Sequence, residues 1–216
     1  MSLVDRVKRI LMSPRTEWQV IDAEPTTPAQ LYTGYIVPLA AIGPIAQLIG
    51  YSVFGISVPF MGTYRVPIGS AITSALVTYV LSLAATYALA LIIDALAPTF
   101  NGQRSQIQAL KVAAYSSTAS WVAAIFHLIP GLRLLTILGL YSLYLLYLGL
   151  PIVMKAPREK AVAYTAVVIL AAIALFMVIG VIAGRFMALP TAGMTVPRAA
   201  RAVRVLREGD ADHSPG

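Results

Sequence analysis

Residues 68–97 read IGSAITSALVTYVLSLAATYALALIIDALA, and Asp94 is the only charged residue among them. An unbroken apolar run of more than about 20 residues reads as a membrane-spanning helix, because in hydrocarbon every peptide group must bond within its own segment. At about 1.5 Å per residue the run reaches roughly 45 Å, against a hydrocarbon core of about 30 Å. It therefore tilts or projects into the headgroups. Pro67 stands just before it, where a starting helix tolerates proline.

Four further apolar runs flank this one, at 31–54, 109–128, 132–154 and 161–189. The expected fold is all-α: a polytopic transmembrane helical bundle of about five spans, with amphipathic surface helices at its termini. Composition agrees. Hydrophobic residues make up 58% of the 216, charged residues 12%, and mean hydropathy is +0.78. A soluble domain carries about a quarter charged residues, so no water-facing surface can be built from this supply. There is no cysteine, which removes disulfides, thiolate metal sites and cysteine nucleophiles together.

The sequence divides into a cytoplasmic amphipathic, interfacial segment at 1–30, a five-helix membrane domain at 31–189 and a basic amphipathic, then disordered, tail at 190–216. No apolar stretch close behind the start resembles a secretory signal, so the amino terminus is expected to be retained. Leu3, Val4, Val7, Ile10 and Leu11 predict one face of a short surface helix, with Asp5, Arg6, Lys8 and Arg9 on the other. Ser2 and Asp5 have capping spacing, Ser13 and Pro14 restart the helix, and Trp18 suits the headgroup level. Thr27, Pro28 and Gln30 predict a capping box at the first span. Pro38, Gly43, Pro44 and Gly50 predict that this span is kinked, or even re-entrant.

The net charge of +7 reads as topology and not as nucleic-acid binding, since the basic residues flank apolar runs instead of tracking a groove. With the amino terminus inside, five spans put Arg6, Lys8, Arg9, Arg15, Arg104, Lys111, Lys155, Arg158 and Lys160 in the cytoplasm. Arg65, Arg133, Arg185 and the tail residues Arg198, Arg201, Arg204 and Arg207 fall on the other side, a weak bias. A re-entrant first run would bring the tail back inside. Arg185 can snorkel, and the tail arginines recur every third residue as on a lipid-gripping helix face.

Within 68–97, Ser70, Ser74, Thr78, Ser82 and Thr86 recur every fourth residue as a small polar ridge. Such a ridge lets a neighbouring helix come close; hydroxyls lining an aqueous path would have the same spacing. Tyr141, Tyr144 and Tyr147 are expected to fill the bundle interior or an interface. Asp94 and Lys111 each lie about one turn inside a span and are joined by a short loop, which predicts an ion pair closing the hairpin. Together with Asn101, Arg104, Gln106 and Tyr115 they make a candidate polar site. His127 is expected to hydrogen-bond a helix end, and no metal site, cofactor or catalytic triad is expected. The usual motifs H-E-x-x-H, G-x-S-x-G, G-x-x-x-x-G-K-[ST] and G-x-G-x-x-G do not occur.

The stretch from Asp94 through Ala97-Pro98-Thr99-Phe100-Asn101-Gly102 to Lys111-Val112-Ala113-Ala114-Tyr115 has a distinctive pattern, as does Tyr141-Ser142-Leu143-Tyr144-Leu145-Leu146-Tyr147-Leu148-Gly149-Leu150-Pro151. Met154-Lys155, Pro157, Lys160-Ala161, Tyr164-Thr165 and the earlier Pro14, Trp18 and Ile21 extend it. On these residues the chain resembles the Yip (Ypt-interacting protein) family, particularly its bacterial members, over about residues 5–185. The resemblance implies a five-span bundle with a cytosolic amino terminus and, for eukaryotic members, a role in vesicle traffic through small GTPases and through one another.

Two functions follow as expectations. The first is a non-enzymatic protein of a bacterial cytoplasmic (inner) membrane that binds or organises other membrane components: anionic lipid headgroups, other membrane proteins or itself. The alternative is a small permease or channel with its polar intramembrane site around Asp94 and Lys111.

Overall fold

The computed structural model describes residues 2–58, 62–64 and 67–188, and the fold is an all-α helical bundle. Helix α1 (Leu3–Met12) begins at Ser2, whose hydroxyl accepts from Asp5 N, and ends at Ser13. Helix α2 (Pro14–Ala23) starts with proline in its first turn, where the missing N–H costs nothing. Thr27 and Gln30 form the capping box that opens α3 (Pro28–Phe54).

Helix α3 is distorted around Pro38 and Pro44, which lack donors, and again near its end. The backbone widens into a π-turn at Tyr32–Ile36, breaks at Ala41, and widens again at Gly50–Phe54. Gly55 takes φ 78°, a conformation that suits glycine, and ends it. Two strands of three residues follow, β1 (Ile56–Val58) and β2 (Gly62–Tyr64), paired antiparallel with Ser57 opposite Thr63. This small hairpin lies within a connection that the sequence reading treats as loop.

Helix α4 (Ile68–Leu96) matches the decisive run and tightens into a 3-10 turn at Ala97–Phe100. Asn101, at φ 58°, turns the chain, and Gly102 N bonds back to Ala97 O, satisfying a carbonyl at the helix end. Helices α5 (Gln106–Ser116) and α6 (Thr118–Ala123) share the third run, separated at Ser117, and a 3-10 stretch continues to Leu128. A longer 3-10 segment, Pro130–Leu140, leads into α7 (Tyr141–Val153), and α8 (Arg158–Ala188) completes the described chain.

Among the described residues, four helices are long and apolar enough to cross a membrane: Pro28–Phe54, Ile68–Phe100, Leu134–Val153 and Arg158–Gly184. The third run differs because it is broken and because it is central. Every residue from Ala109 to Ser116 is buried, so α5 is a pillar wrapped by α4, α7 and the amino-terminal helices. Cross-links fix the direction of each pass. Tyr32 Oη donates to Leu83 O at 3.0 Å and Tyr79 Oη to Val37 O at 3.1 Å, so α3 and α4 run antiparallel. Tyr35 pairs with Thr118 at 2.7 Å, while a Cβ at Gly50 would meet His127 O, so the third run lies parallel to α3. Ser120 bonds Gly139 O and Ser142, and Tyr164 Oη donates to Ile93 O, which sets α7 and α8 against their neighbours. Among the described residues the chain thus passes between the two ends of the bundle five times, and four of these passes are the helices long and apolar enough to cross a membrane.

The amino-terminal helices do not stand apart from this bundle. Ile10, Trp18 and Ile21 are buried in the same core as Leu110, Leu145 and Leu150, and Leu3, Val7 and Leu11 pack against it. Trp18 therefore faces protein rather than headgroups. Val4, expected on the apolar face, is 71% exposed, whereas Arg6, expected on the polar face, is buried. Tyr141 is half-buried against the core and donates to Leu11 O, but Tyr144 and Tyr147 face outward. Arg65, the tail arginines 198–207 and the disordered-tail expectation lie outside the described residues, as do the side chains of Arg133 and Arg185.

Candidate functional site

One end of the bundle gathers nearly all the described charge, because α1, α2, the ends of α4 and α7 and the starts of α5 and α8 meet there. The expected ion pair between Asp94 and Lys111 is not formed, and each residue belongs to a different cluster.

Asp94 sits under the loop that follows its own helix. Arg104 returns over it, with Nη2 3.3 Å and Nε 3.4 Å from Asp94 Oδ2. The guanidinium is 65% exposed, so its pull is screened by solvent and worth about 0–1 kcal/mol, whereas the carboxylate is 13% exposed and its Oδ1 has no hydrogen-bond partner among the described residues. Asn101 uses its side-chain oxygen to accept from Lys160 Nζ at 3.0 Å. Gln106 reaches Tyr87 Oη at 2.8 Å. The loop is fastened to α7 by Gln103 N, which donates to Met154 O at 2.8 Å.

Lys111 points the other way, into the end of α2. Its ammonium donates to Ile21 O at 2.9 Å and Glu24 O at 2.7 Å, and the residue is 4% exposed. The last carbonyls of a helix lack internal partners and carry the negative end of its dipole, so a buried cation is stable there without a carboxylate. Beside it Asp22 binds Lys155 and accepts from Gln108 Nε2 at 3.2 Å. These contacts rivet α2 to α5 and α7.

A third cluster, which the sequence reading missed, closes the hairpin of α1 and α2. Arg6 donates to Glu17 at 2.7 Å and also to Glu24, and its guanidinium lies 5.8 Å from the centre of the Tyr115 ring. Glu17 is buried with it. Burial pulls the Arg6 proton affinity down, but Tyr115, Glu24 and Glu17 outweigh that effect and the guanidinium holds its proton above the usual range. At the exposed start of α1, the Ser2 hydroxyl bonds Asp5 and keeps that carboxyl below its ordinary value. A signal for the cluster exists in the sequence: Glu17, Ile21 and Glu24 share one helical face, and Arg6 precedes Ile10 by one turn.

Tyr115 joins this cluster rather than Asp94. Its ring packs on Tyr35 at 4.4 Å and edge-on to Trp18 at 6.2 Å. The candidate polar site therefore resolves into Asp94, Asn101 and Arg104 on the loop, and Lys111 and Tyr115 under the amino-terminal hairpin. His127 Nδ1 lies 3.0 Å from Ala124 O, a bond within its own helix end. Among the described residues no group of three His, Cys, Asp or Glu could hold a metal ion.

The ridge on α4 is divided too. Ser70 is exposed and donates to Pro67 O; Ser74 and Thr78 are half-buried. Ser82 and Thr86 face the bundle, donating to Tyr79 O at 2.7 Å and Ser82 O at 2.9 Å.

No curated protein and no solved structure matches this chain. A family model does: the Yip1 domain matches residues 8–180, from α1 through most of α8. The clusters just described all fall within or just before that match, in a bundle whose helices are long and apolar enough to cross a membrane. The chain is a multi-pass membrane protein belonging to the Yip1 domain family.

Proposed function

We propose that this protein is a non-enzymatic component of a bacterial cytoplasmic membrane that binds or organises other membrane components, anionic lipid headgroups among them. The observation that carries this reading is the outward face of the amino-terminal hairpin. Val4, Lys8 and Met12 recur every fourth residue along α1, with Arg9 beside them and Arg15 at the start of α2. Val4 is 71% and Met12 77% exposed. Lys8, Arg9 and Arg15 form no salt bridge among the described residues. The inner face of the hairpin is committed to the bundle, so the outer face is the one open to a partner.

Cations beside exposed apolar side chains suit a membrane surface, where apolar burial and attraction to anionic lipid add together, at about 1 kcal/mol per basic residue. The family membership supports a membrane role without chemistry. The permease alternative has less support, because the ammonium of Lys111 is bound to α2 and Asp94 to Arg104.

The test is native mass spectrometry and in-membrane cross-linking of the full chain, purified in mild detergent. Phosphatidylglycerol and neighbouring proteins are expected to come with it, and Lys8→Glu with Arg9→Glu and Arg15→Glu is expected to release the lipid. A chain that is always recovered alone, monomeric and free of anionic lipid refutes the proposal.

A further inference from the structure

Helices α4, α5, α7 and α8 form a ring in which α5 and α8 each pack on both α4 and α7. Within the ring, near the middle of α4, lies a cavity of about 380 Å³. Its deep wall carries Thr86 and Ser116, both buried, together with Ser82 and Ser117. Its mouth, between α7 and α8, is rimmed by Leu143, Ile173 and Phe176, all exposed. The polar end thus lies inside and the apolar end opens sideways, toward the surface that lipid tails would cover.

Three features define what fits. The side chains lining the cavity include no charged one, so a phosphate or carboxylate would enter without a counter-charge and be strongly disfavoured. The hydroxyl hydrogens of the deep wall are already committed: Ser82 to Tyr79 O, Thr86 to Ser82 O, Ser116 to Val112 O at 2.6 Å and Ser117 to Ala113 O at 2.7 Å. Each oxygen keeps a lone pair, so the wall accepts hydrogen bonds and needs a donor opposite it. The volume lies at the lower end of small-molecule sites, about 300–1,000 Å³, enough for a small head and the first part of one chain.

We propose that this cavity binds an uncharged lipid alcohol, its hydroxyl donating to Thr86 and Ser116 and its tail leaving between Leu143, Ile173 and Phe176. A diacylglycerol and an isoprenoid alcohol share this chemistry. The site uses no residue of the amino-terminal hairpin, and so stands or falls separately from headgroup binding there.

The test uses the full chain in phosphatidylcholine nanodiscs and photoactivatable analogues of diacylglycerol, of farnesol and of phosphatidylcholine. Saturable labelling of α4 around Thr86 and of α8 around Ile173 is expected from the first, the second or both, and competition by the unlabelled lipid identifies the tail. Thr86→Val with Ser116→Ala keeps the shape and removes two acceptors; labelling should fall about fivefold to tenfold, the range of one hydrogen bond, with thermal unfolding unchanged. Ala172→Trp, which fills the cavity, should abolish it. If that variant does not fold, the acceptor variant decides. Labelling that does not saturate, that the phosphatidylcholine probe reproduces, that spreads along outward residues such as Val162 and Leu170, or that ignores the acceptor variant overturns the proposal.

Discussion

The ring of Trp18 occupies the space that a side chain at Gly149 would need: a Cβ there would lie 2.7 Å from Trp18 Cζ2 and 2.9 Å from Cε2 and Cη2. Trp18 is fully buried, and its indole nitrogen has no acceptor among the described residues. The pair is thus a packing contact, in which a flat ring on α2 is seated against bare backbone on α7. It is how the amino-terminal hairpin becomes part of the bundle.

Gly149→Ala should therefore destabilise the protein even though alanine is the better helix former. Overpacking of this kind costs about 1–3 kcal/mol, and the helix gains back up to about 1 kcal/mol; against a rigid ring the cost lies toward the upper end, leaving a net loss of up to about 2 kcal/mol. Unfolding in mixed micelles measures it. Trp18→Leu combined with Gly149→Ala should lose less than the sum of the single changes; strict additivity would mean that the two residues do not touch.

The Arg6 cluster makes a second prediction by the same kind of cycle. Arg6→Met leaves Glu17 buried without its partner, which costs about 3–5 kcal/mol. Replacing both, with Arg6→Met and Glu17→Leu, removes the stranded charge and should be more stable than Arg6→Met alone. If the double variant is the worse of the two, Glu17 has another buried partner.

Asp94 and Lys111 should behave as independent residues. Lys111→Met strands the carbonyls of Ile21 and Glu24, at about 1–3 kcal/mol, while Asp94→Asn loses only the solvent-screened pull of the exposed Arg104, worth at most about 1 kcal/mol. Their double variant should equal the sum within about 0.5 kcal/mol. A larger coupling energy would restore the direct ion pair that charge spacing alone suggests.

That pair also marks the limit of what the amino-acid pattern reveals. The helix from Ile68 to Leu96 was legible almost to the residue, because a continuous apolar run in lipid has only one way to bond its backbone. The break at Ser13 and the capping box at Thr27 were legible for local reasons as well. The partner of Lys111 was not, since it is a pair of carbonyls exposed only where α2 happens to end, and carbonyls have no signature in side-chain sequence. Arg6 was misplaced for a related reason: its face of α1 is polar in isolation, and becomes interior only when Ser13 and Pro14 fold Glu17 back over it. Of the candidate polar site, the loop contact of Arg104 with Asp94 was within reach of neighbouring positions, whereas the grouping of Tyr115 with Trp18 and Tyr35 depended on the tertiary packing of three helices.

The last prediction concerns the third run, whose helices are too short and broken to register as a span by length and apolarity. Its contacts nevertheless carry the chain from Lys111, at the charged end, to His127, which lies against Gly50 at the other. If the charged end faces the cytoplasm, as the positive-inside rule requires, then residues 8, 103 and 158 share one side and residue 129 lies opposite. The chain has no cysteine, so single cysteines can be placed without background. Lys8→Cys, Gln103→Cys and Arg158→Cys should react with a membrane-impermeant maleimide in inverted vesicles and be protected in spheroplasts, with Ile129→Cys showing the reverse. Should Ile129→Cys label together with Gln103→Cys, the third run does not cross, and α5 is a buried pillar that enters and leaves on one side.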